Sequence, residues 1–228
     1  FYDIDQPVFF QNKESFCFTV ESKPLVVQNT MELKTPTFIF DYAATKTHNS
    51  NPDIGLTNYG PYDSINFDTK TPNVLCICNR NNRGYFSNFL SSLKDGIPQS
   101  KYFQKGLLKK YDLKDVIFDI KEMQSYGIDE YLNIIKDYDE IKPHLAIIEI
   151  PTEFRQYDDK SNPYYKIKAK LLSLEIPVQY VTSEKVKAYN EYILNSIALQ
   201  IYAKLGGTPW VLPSHRSVDR EIIIGIGH

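Results

Sequence analysis

Pro163–Gly207 reads PYYKIKAKLLSLEIPVQYVTSEKVKAYNEYILNSIALQIYAKLGG, and it passes from helix to strand to helix. Tyr164 and Lys168 stand four apart in a segment of helical pattern, so an aromatic ring and an ammonium share one side, one turn apart. Gln179 follows the apolar run Ile176-Pro177-Val178 and is placed at the end of a short strand. Leu194, Ile197, Ala198, Ile201 and Leu205 then form an apolar stripe at three-to-four spacing, which gives the last helix its packing face. Gln200 and Lys204 lie four apart, off the middle of that stripe. Gly206-Gly207 closes the helix with residues that tolerate positive φ. Tyr164, Lys168, Gln179, Gln200 and Lys204 can meet only if these elements are layered.

The same alternation extends back to Val74. Apolar runs rich in β-formers (Val74 to Cys78, Val116 to Ile120, Leu145 to Ile150, Val178 to Val181) alternate with helical patterns (Gly84 to Asp95, Ile128 to Asp139, Pro163 to Leu174, Ala188 to Leu205). This order predicts an α/β fold, a parallel sheet with helices on both faces. Ligands of such sheets sit beyond the strand C-termini, and Gln179 and the loop after Ile150 are expected near that edge. Ahead of it, Phe1 to Phe40 carries short apolar bursts (Val8-Phe9-Phe10, Phe16-Cys17-Phe18, Leu25-Val26-Val27, Phe38-Ile39-Phe40) broken by Pro24 and Pro36, the pattern of extended strands. Asp41 to Thr71, with Asn51-Pro52 and Gly60-Pro61, reads mostly as loop and turn.

Composition bounds the function. The 228 residues are 42% hydrophobic and 24% charged, enough for a sizeable core, and their net charge of −2 argues against a protein that coats nucleic acid with uniform positive charge. Seven lysines and three glutamates between Lys160 and Lys204 make that stretch a local basic site on an acidic body. Two lysines, an amide and a ring are what a terminal phosphate with its base requires: charge-assisted donors from more than one direction and a stacking surface. Lys166, Lys170, Lys185 and Lys187 read instead as a solvated helix face. Cys17, Cys76 and Cys78 form neither an even disulfide set nor a metal cluster, and they read as buried thiols in a reducing compartment. No Gly-x-Gly-x-x-Gly, Walker-type loop or Ser-His-Asp order appears. No apolar run approaches the roughly 20 residues that span a bilayer and the first residues lack the basic-then-apolar order of a signal peptide, so a cytoplasmic protein without membrane association is expected. The chain starts without Met and ends at Gly227-His228 directly after a strand pattern, which reads as part of a longer protein.

Tyr164, Lys168, Gln179 and Lys204-Leu205-Gly206-Gly207 resemble the Argonaute family, in which a Tyr-x-x-x-Lys pair, a later Gln and a Lys ahead of Leu-Gly-Gly hold the 5′ end of a guide strand. The run Lys204 to Leu212 (Lys-Leu-Gly-Gly-x-Pro-Trp-x-Leu) is similar to that family's junction between MID and PIWI domains. Glu221 to Gly227 is similar to the first PIWI strand, and Gly55 to Tyr62 to the start of the MID domain. The resemblance implies a β-rich lead-in and linker over 1–71, a Rossmann-like MID domain over 72–205 and the first strands of an RNase H-like PIWI domain over 206–228. It also implies a guide RNA or DNA anchored by its 5′-phosphate, a complementary target, expected to be DNA, and a role in host defence. Thr152 to Asn162 takes the position of the family's nucleotide-selectivity loop. Mg²⁺ at the guide phosphate is implied as well. Where cleaving members have Gly-x-Asp, with an Asp that holds catalytic metal, this chain has Gly225-Ile226-Gly227, so binding without slicing is expected. The first 65 residues are too few for a PAZ domain. Both features resemble the short and the inactive long prokaryotic Argonautes, and the short ones work with a TIR-, SIR2- or nuclease-type effector carrying an APAZ-like domain. The other reading is an active endonuclease whose metal site lies beyond residue 228.

Overall fold

The computed structural model describes residues 8–9, 15–16, 36–138, 140–155 and 162–213. The chain divides into two units, Phe1–Lys34 and Thr35–His228. In the first, β1 (Val8–Phe9) pairs antiparallel with β2 (Ser15–Phe16). The expected strand at Leu25 to Val27, the expected PIWI strand at Glu221 to Gly227 with Gly227 itself, and residues 156–161 of the loop after Ile150 lie outside the described residues.

In the second unit, β3 (Phe38–Ile39) and β4 (Thr47–His48) form a short antiparallel pair, followed by α1 (Pro52–Tyr59). The main body then runs β5 (Asn73–Asn79), α2 (Arg83–Asp95), α3 (Gly106–Lys110), β6 (Ile117–Met123), α4 (Ile128–Lys136) and β7 (Leu145–Ile150). It continues through α5 (Pro163–Ser173), β8 (Val178–Thr182), α6 (Ser183–Lys187) and α7 (Glu191–Lys204). The sheet is wholly parallel in the order β6-β5-β7-β8, so the predicted α/β architecture stands, with the direction of winding reversing between β5 and β7.

Strand alternation distributes the core between two layers. Val74, Cys76, Cys78, Leu145, Ile147 and Val181 pack with Phe86, Phe89 and Leu90 of α2 and Leu194, Ala198 and Ile201 of α7. Leu75, Ile77, Ala146, Ile148, Ile150, Val178 and Tyr180 pack with Tyr131 and Ile135 of α4 and Ile167 and Leu171 of α5. Residues buried on both faces make β5 and β7 near-continuous apolar runs, as expected of central parallel strands. Cys76 and Cys78 are buried thiols, and burial pushes Cys78 up to about 12, which leaves it inert as a nucleophile at neutral pH.

Three local expectations are corrected. The region read as loop and turn contains α1, because Asn51 caps a helix: its side chain accepts from the backbone N–H groups of Asp53 and Ile54, and Pro52 sits at the first helical position, where no N–H is needed. The helix read over Ala188 to Leu205 starts later, as α7, and a separate short helix, α6, precedes it. α6 is capped by Thr182 and α7 by Asn190, whose side chain accepts from Ile193 N. The five-residue α3 has no apolar period long enough to show.

α7 is tied down toward both of its own ends. Lys110, 1% exposed, donates to Asp53 Oδ1 of α1 at 2.6 Å and to Asn195 Oδ1 of α7 at 2.7 Å, while Asn195 Nδ2 donates to the same Asp53 oxygen at 2.8 Å. Beyond the helix, Gly206 has φ +90°, and a Cβ on Gly207 would lie 2.4 Å from the Tyr202 ring. That ring is held by its hydroxyl, which donates to Asp63 Oδ1 at 2.6 Å, and the second Asp63 oxygen accepts from Thr208 N at 2.7 Å. The Leu-Gly-Gly run thus turns the chain back, to pair at Tyr62 with Pro209 and at Ile39 with Val211.

Candidate functional site

β8 is the edge of the sheet on the α5 and α7 side. Successive strand residues point to opposite faces, so Tyr180 turns toward the α5 layer and Gln179 toward the α7 layer. Tyr180 packs on Tyr164, ring centroids 4.5 Å apart, and its hydroxyl donates to Tyr164 O at 3.0 Å. Lys204 Nζ donates to Gln179 Oε1 at 2.5 Å. Gln179 Nε2 donates to Tyr180 O at 3.0 Å. A groove wraps over the sheet edge and receives side chains from both layers.

The groove contains a cavity of about 370 Å³ lined by all five residues singled out in the sequence, Tyr164, Lys168, Gln179, Gln200 and Lys204, together with Leu172, Pro177, Val178 and Tyr180. Asn162 fixes the start of α5 and so the position of Tyr164: its side chain accepts from Tyr164 N at 2.9 Å and donates to Phe154 O at 2.7 Å. Gln200 Nε2 donates to Ser196 Oγ at 3.1 Å along the exposed side of α7. One expectation is overturned here. Gln179 is the second residue of β8, near its N-terminal end, so the site runs along the strand edge and does not lie beyond the strand C-termini.

The electrostatics favour an anion. Lys204 has its pKa lowered, first by burial of its ammonium and then by the positive charge of Lys168. No carboxylate among the described residues is ion-paired with either lysine. Two cations that raise each other's energy, beside a neutral amide and an aromatic face, are stabilised by an anion placed between them.

The crevice beyond the strand C-termini, where β5 and β7 part, is filled by a residue the sequence reading passed over. Glu149, fully buried, accepts from Asn79 N at 2.8 Å, from Asn82 Nδ2 at 2.5 Å and from the Tyr126 hydroxyl at 3.0 Å. A lone Glu in the apolar run LAIIEI was its only signal. Tyr180 was also missed, although the two-residue period of the strand places it opposite Gln179.

The fold and the groove define a Rossmann-like α/β domain with a cavity on its sheet edge lined by two lysines. The chain is similar to Argonaute and Piwi proteins. The Piwi domain family model matches residues 156–228. A protein argonaute of Cereibacter sphaeroides is 29% identical over 186 residues, covering 76% of this chain and 24% of that protein. A Piwi protein of Archaeoglobus fulgidus is 24% identical over 186 residues, covering 76% of this chain and 36% of that protein. The chain therefore spans about a quarter to a third of these curated relatives. Among solved structures, that of Aa-Ago with externally bound siRNA superposes with a TM-score of 0.54 at 20% identity, covering 86% of this chain and 26% of that one, and it supports the fold.

Proposed function

We propose that this region anchors the 5′-phosphorylated end of a guide strand for guide-directed recognition of a target. The observation that carries the reading is the convergence of Lys168 and Lys204 on Gln179 beside Tyr164, with no carboxylate of the described residues to neutralise them. The phosphate takes the two ammonium groups, Gln179 and Gln200 supply amide contacts, and the Tyr164 ring stacks on the first base, a contact tolerant of base identity. Among the described residues no group of three or more His, Cys, Asp or Glu side chains could by itself hold the implied Mg²⁺.

The test is affinity for short guides bearing 5′-phosphate or 5′-hydroxyl ends, RNA and DNA in parallel. A phosphate preference of at least tenfold is expected, reduced about tenfold by Lys168→Ala and by Lys204→Ala. Equal affinity for the two ends in the unmodified protein would sink the proposal. A second expectation follows from the lowered Lys204 pKa: unliganded Lys204 loses its proton at lower pH than an ordinary lysine, and a bound phosphate raises the value again. Binding in alkaline buffer therefore takes up protons, and affinity falls as pH rises through the depressed value. Calorimetry in two buffers of different ionisation enthalpy reads this as different heats; equal heats would place Lys204 away from the anion.

In the same reading the protein does not slice, since Gly227 stands in sequence where cleaving relatives place the first catalytic Asp. It acts in the cytoplasm in defence against invading DNA, and passes target recognition to a TIR-, SIR2- or nuclease-type effector.

A further inference from the structure

The edge of the sheet away from the groove is β6, which pairs with β5 and with no other strand among the described residues. Ile117 donates its N–H to Pro72 O at 3.0 Å and so faces β5, and strand alternation then turns the N–H and C=O of Phe118, Ile120 and Glu122 outward, unpaired by the sheet. The side chains alternate between the faces as well. Phe118 and Ile120 pack against the core of the α2 and α7 layer, where Glu122 lies 3.2 Å from Arg83 of α2. Asp119 and Lys121 stand on the α4 face, 3.2 Å apart and each nearly half exposed. Tyr138 steadies both there: its hydroxyl donates to Asp119 Oδ2, and Lys121 Nζ lies 6.0 Å from its ring centroid. Natural edges are commonly blunted with lysine, proline or a bulge. Here an acid and a base flank Ile120, a pattern that is its own complement when the strand is reversed.

We propose that β6 is a docking edge for a second copy of this chain, paired antiparallel about Ile120 so that the two sheets become one. In that register Ile120 meets Ile120 of the second copy and Phe118 meets its Glu122, each pair exchanging both outward N–H···O bonds. Asp119 then meets Lys121 of the second copy, and Lys121 its Asp119, as non-hydrogen-bonded pairs, the kind that brings side chains closer. Charge fixes the register. Slipping by two residues in either direction sets Asp119 against Asp119 or Lys121 against Lys121, and like charges directly opposite are destabilising. The two-fold axis through Ile120 uses the same patch on both copies, which is the geometry of a closed dimer. The grooves on β8 then lie at the two outer edges of the joined sheet.

Sedimentation of the full chain over a range of concentrations reads the pairing. One strand pair is a small interface, so the weight-average mass is expected to rise with concentration from one chain toward two. Asp119→Lys and Lys121→Asp each oppose like charges at both ends of the register, and each alone should weaken association about tenfold. An equimolar mixture of the two variants should restore it as a dimer with one copy of each, because every charge then meets its opposite. Glu122→Pro tests the backbone: its N–H faces away from β5, so the proline removes no bond of the sheet, and this chain should fold and stay monomeric. An unmodified chain that stays monomeric, association that survives either charge reversal, or folded charge variants that fail to associate when mixed overturns the proposal.

Discussion

Asp53→Ala is expected to destabilise the protein by about 3–5 kcal/mol, because it leaves the ammonium of Lys110 buried without an opposing charge. Lys110 is 1% exposed, and its carboxylate partner lies 2.6 Å away on a helix 57 residues earlier in the chain. Lys110→Met should cost less than half as much. It removes the charge together with its desolvation penalty, keeps the packing of the stem, and leaves Asp53 bonded to Asn195. Urea denaturation of the two variants gives the comparison, and an Asp53→Ala cost below that of Lys110→Met would contradict the assignment. The sign with pH follows from the same pair. Burial lowers the Lys110 pKa more than Asp53 raises it, so the unfolded chain holds this proton to higher pH than the folded one. Stability therefore increases as pH rises from the depressed value toward the ordinary lysine range.

The second large effect is expected of Glu149→Ala. The carboxylate accepts from a backbone N–H, an amide and a phenol; its loss strands the buried Asn79 N–H at about 1–3 kcal/mol, while Asn82 Nδ2 keeps the Tyr126 hydroxyl and that hydroxyl keeps Ser183 Oγ. A loss of about 2–3 kcal/mol is expected, with Glu149→Gln intermediate. The variants also separate the two ends of the sheet. Because Glu149 closes the crevice between β5 and β7 while the proposed site lies along the β8 edge, the folded fraction of Glu149→Gln should keep its preference for a 5′-phosphate. Loss of that preference at unchanged folded fraction would move the site to the strand C-termini.

The sequence disclosed the layered fold because the central strands are apolar on both faces and the helices between them carry one-sided stripes, two patterns with different periods. It disclosed the five groove residues because each keeps its spacing within an element: Tyr164 and Lys168 one turn apart, Gln200 and Lys204 one turn apart, Gln179 on a strand. Their position on the sheet was less legible. Whether Gln179 opens or closes a strand depends on where pairing with β7 begins, and that is set by Ala146 opposite Val178, a contact between distant residues. α1 was hidden because Asn-Pro serves equally as a turn and as a helix start, and its stability derives in part from Asp53 meeting Lys110. Glu149 shows the same limit from the other side. One acidic residue in an apolar strand is unremarked until its three donors come in from elsewhere in the chain.

The groove draws Tyr164 and Lys168 from the layer on one side of the sheet and Gln200 and Lys204 from the layer on the other. A strand lying in it would act as a clasp across the sandwich, closing against each layer a surface that neither covers alone. Occupancy and cohesion are then one equilibrium: at a guide concentration 100 times Kd the folded form gains about 2.7 kcal/mol. The loaded protein should resist heat and proteolysis as a single body, and a weakened layer on either side should appear first as faster release of the guide.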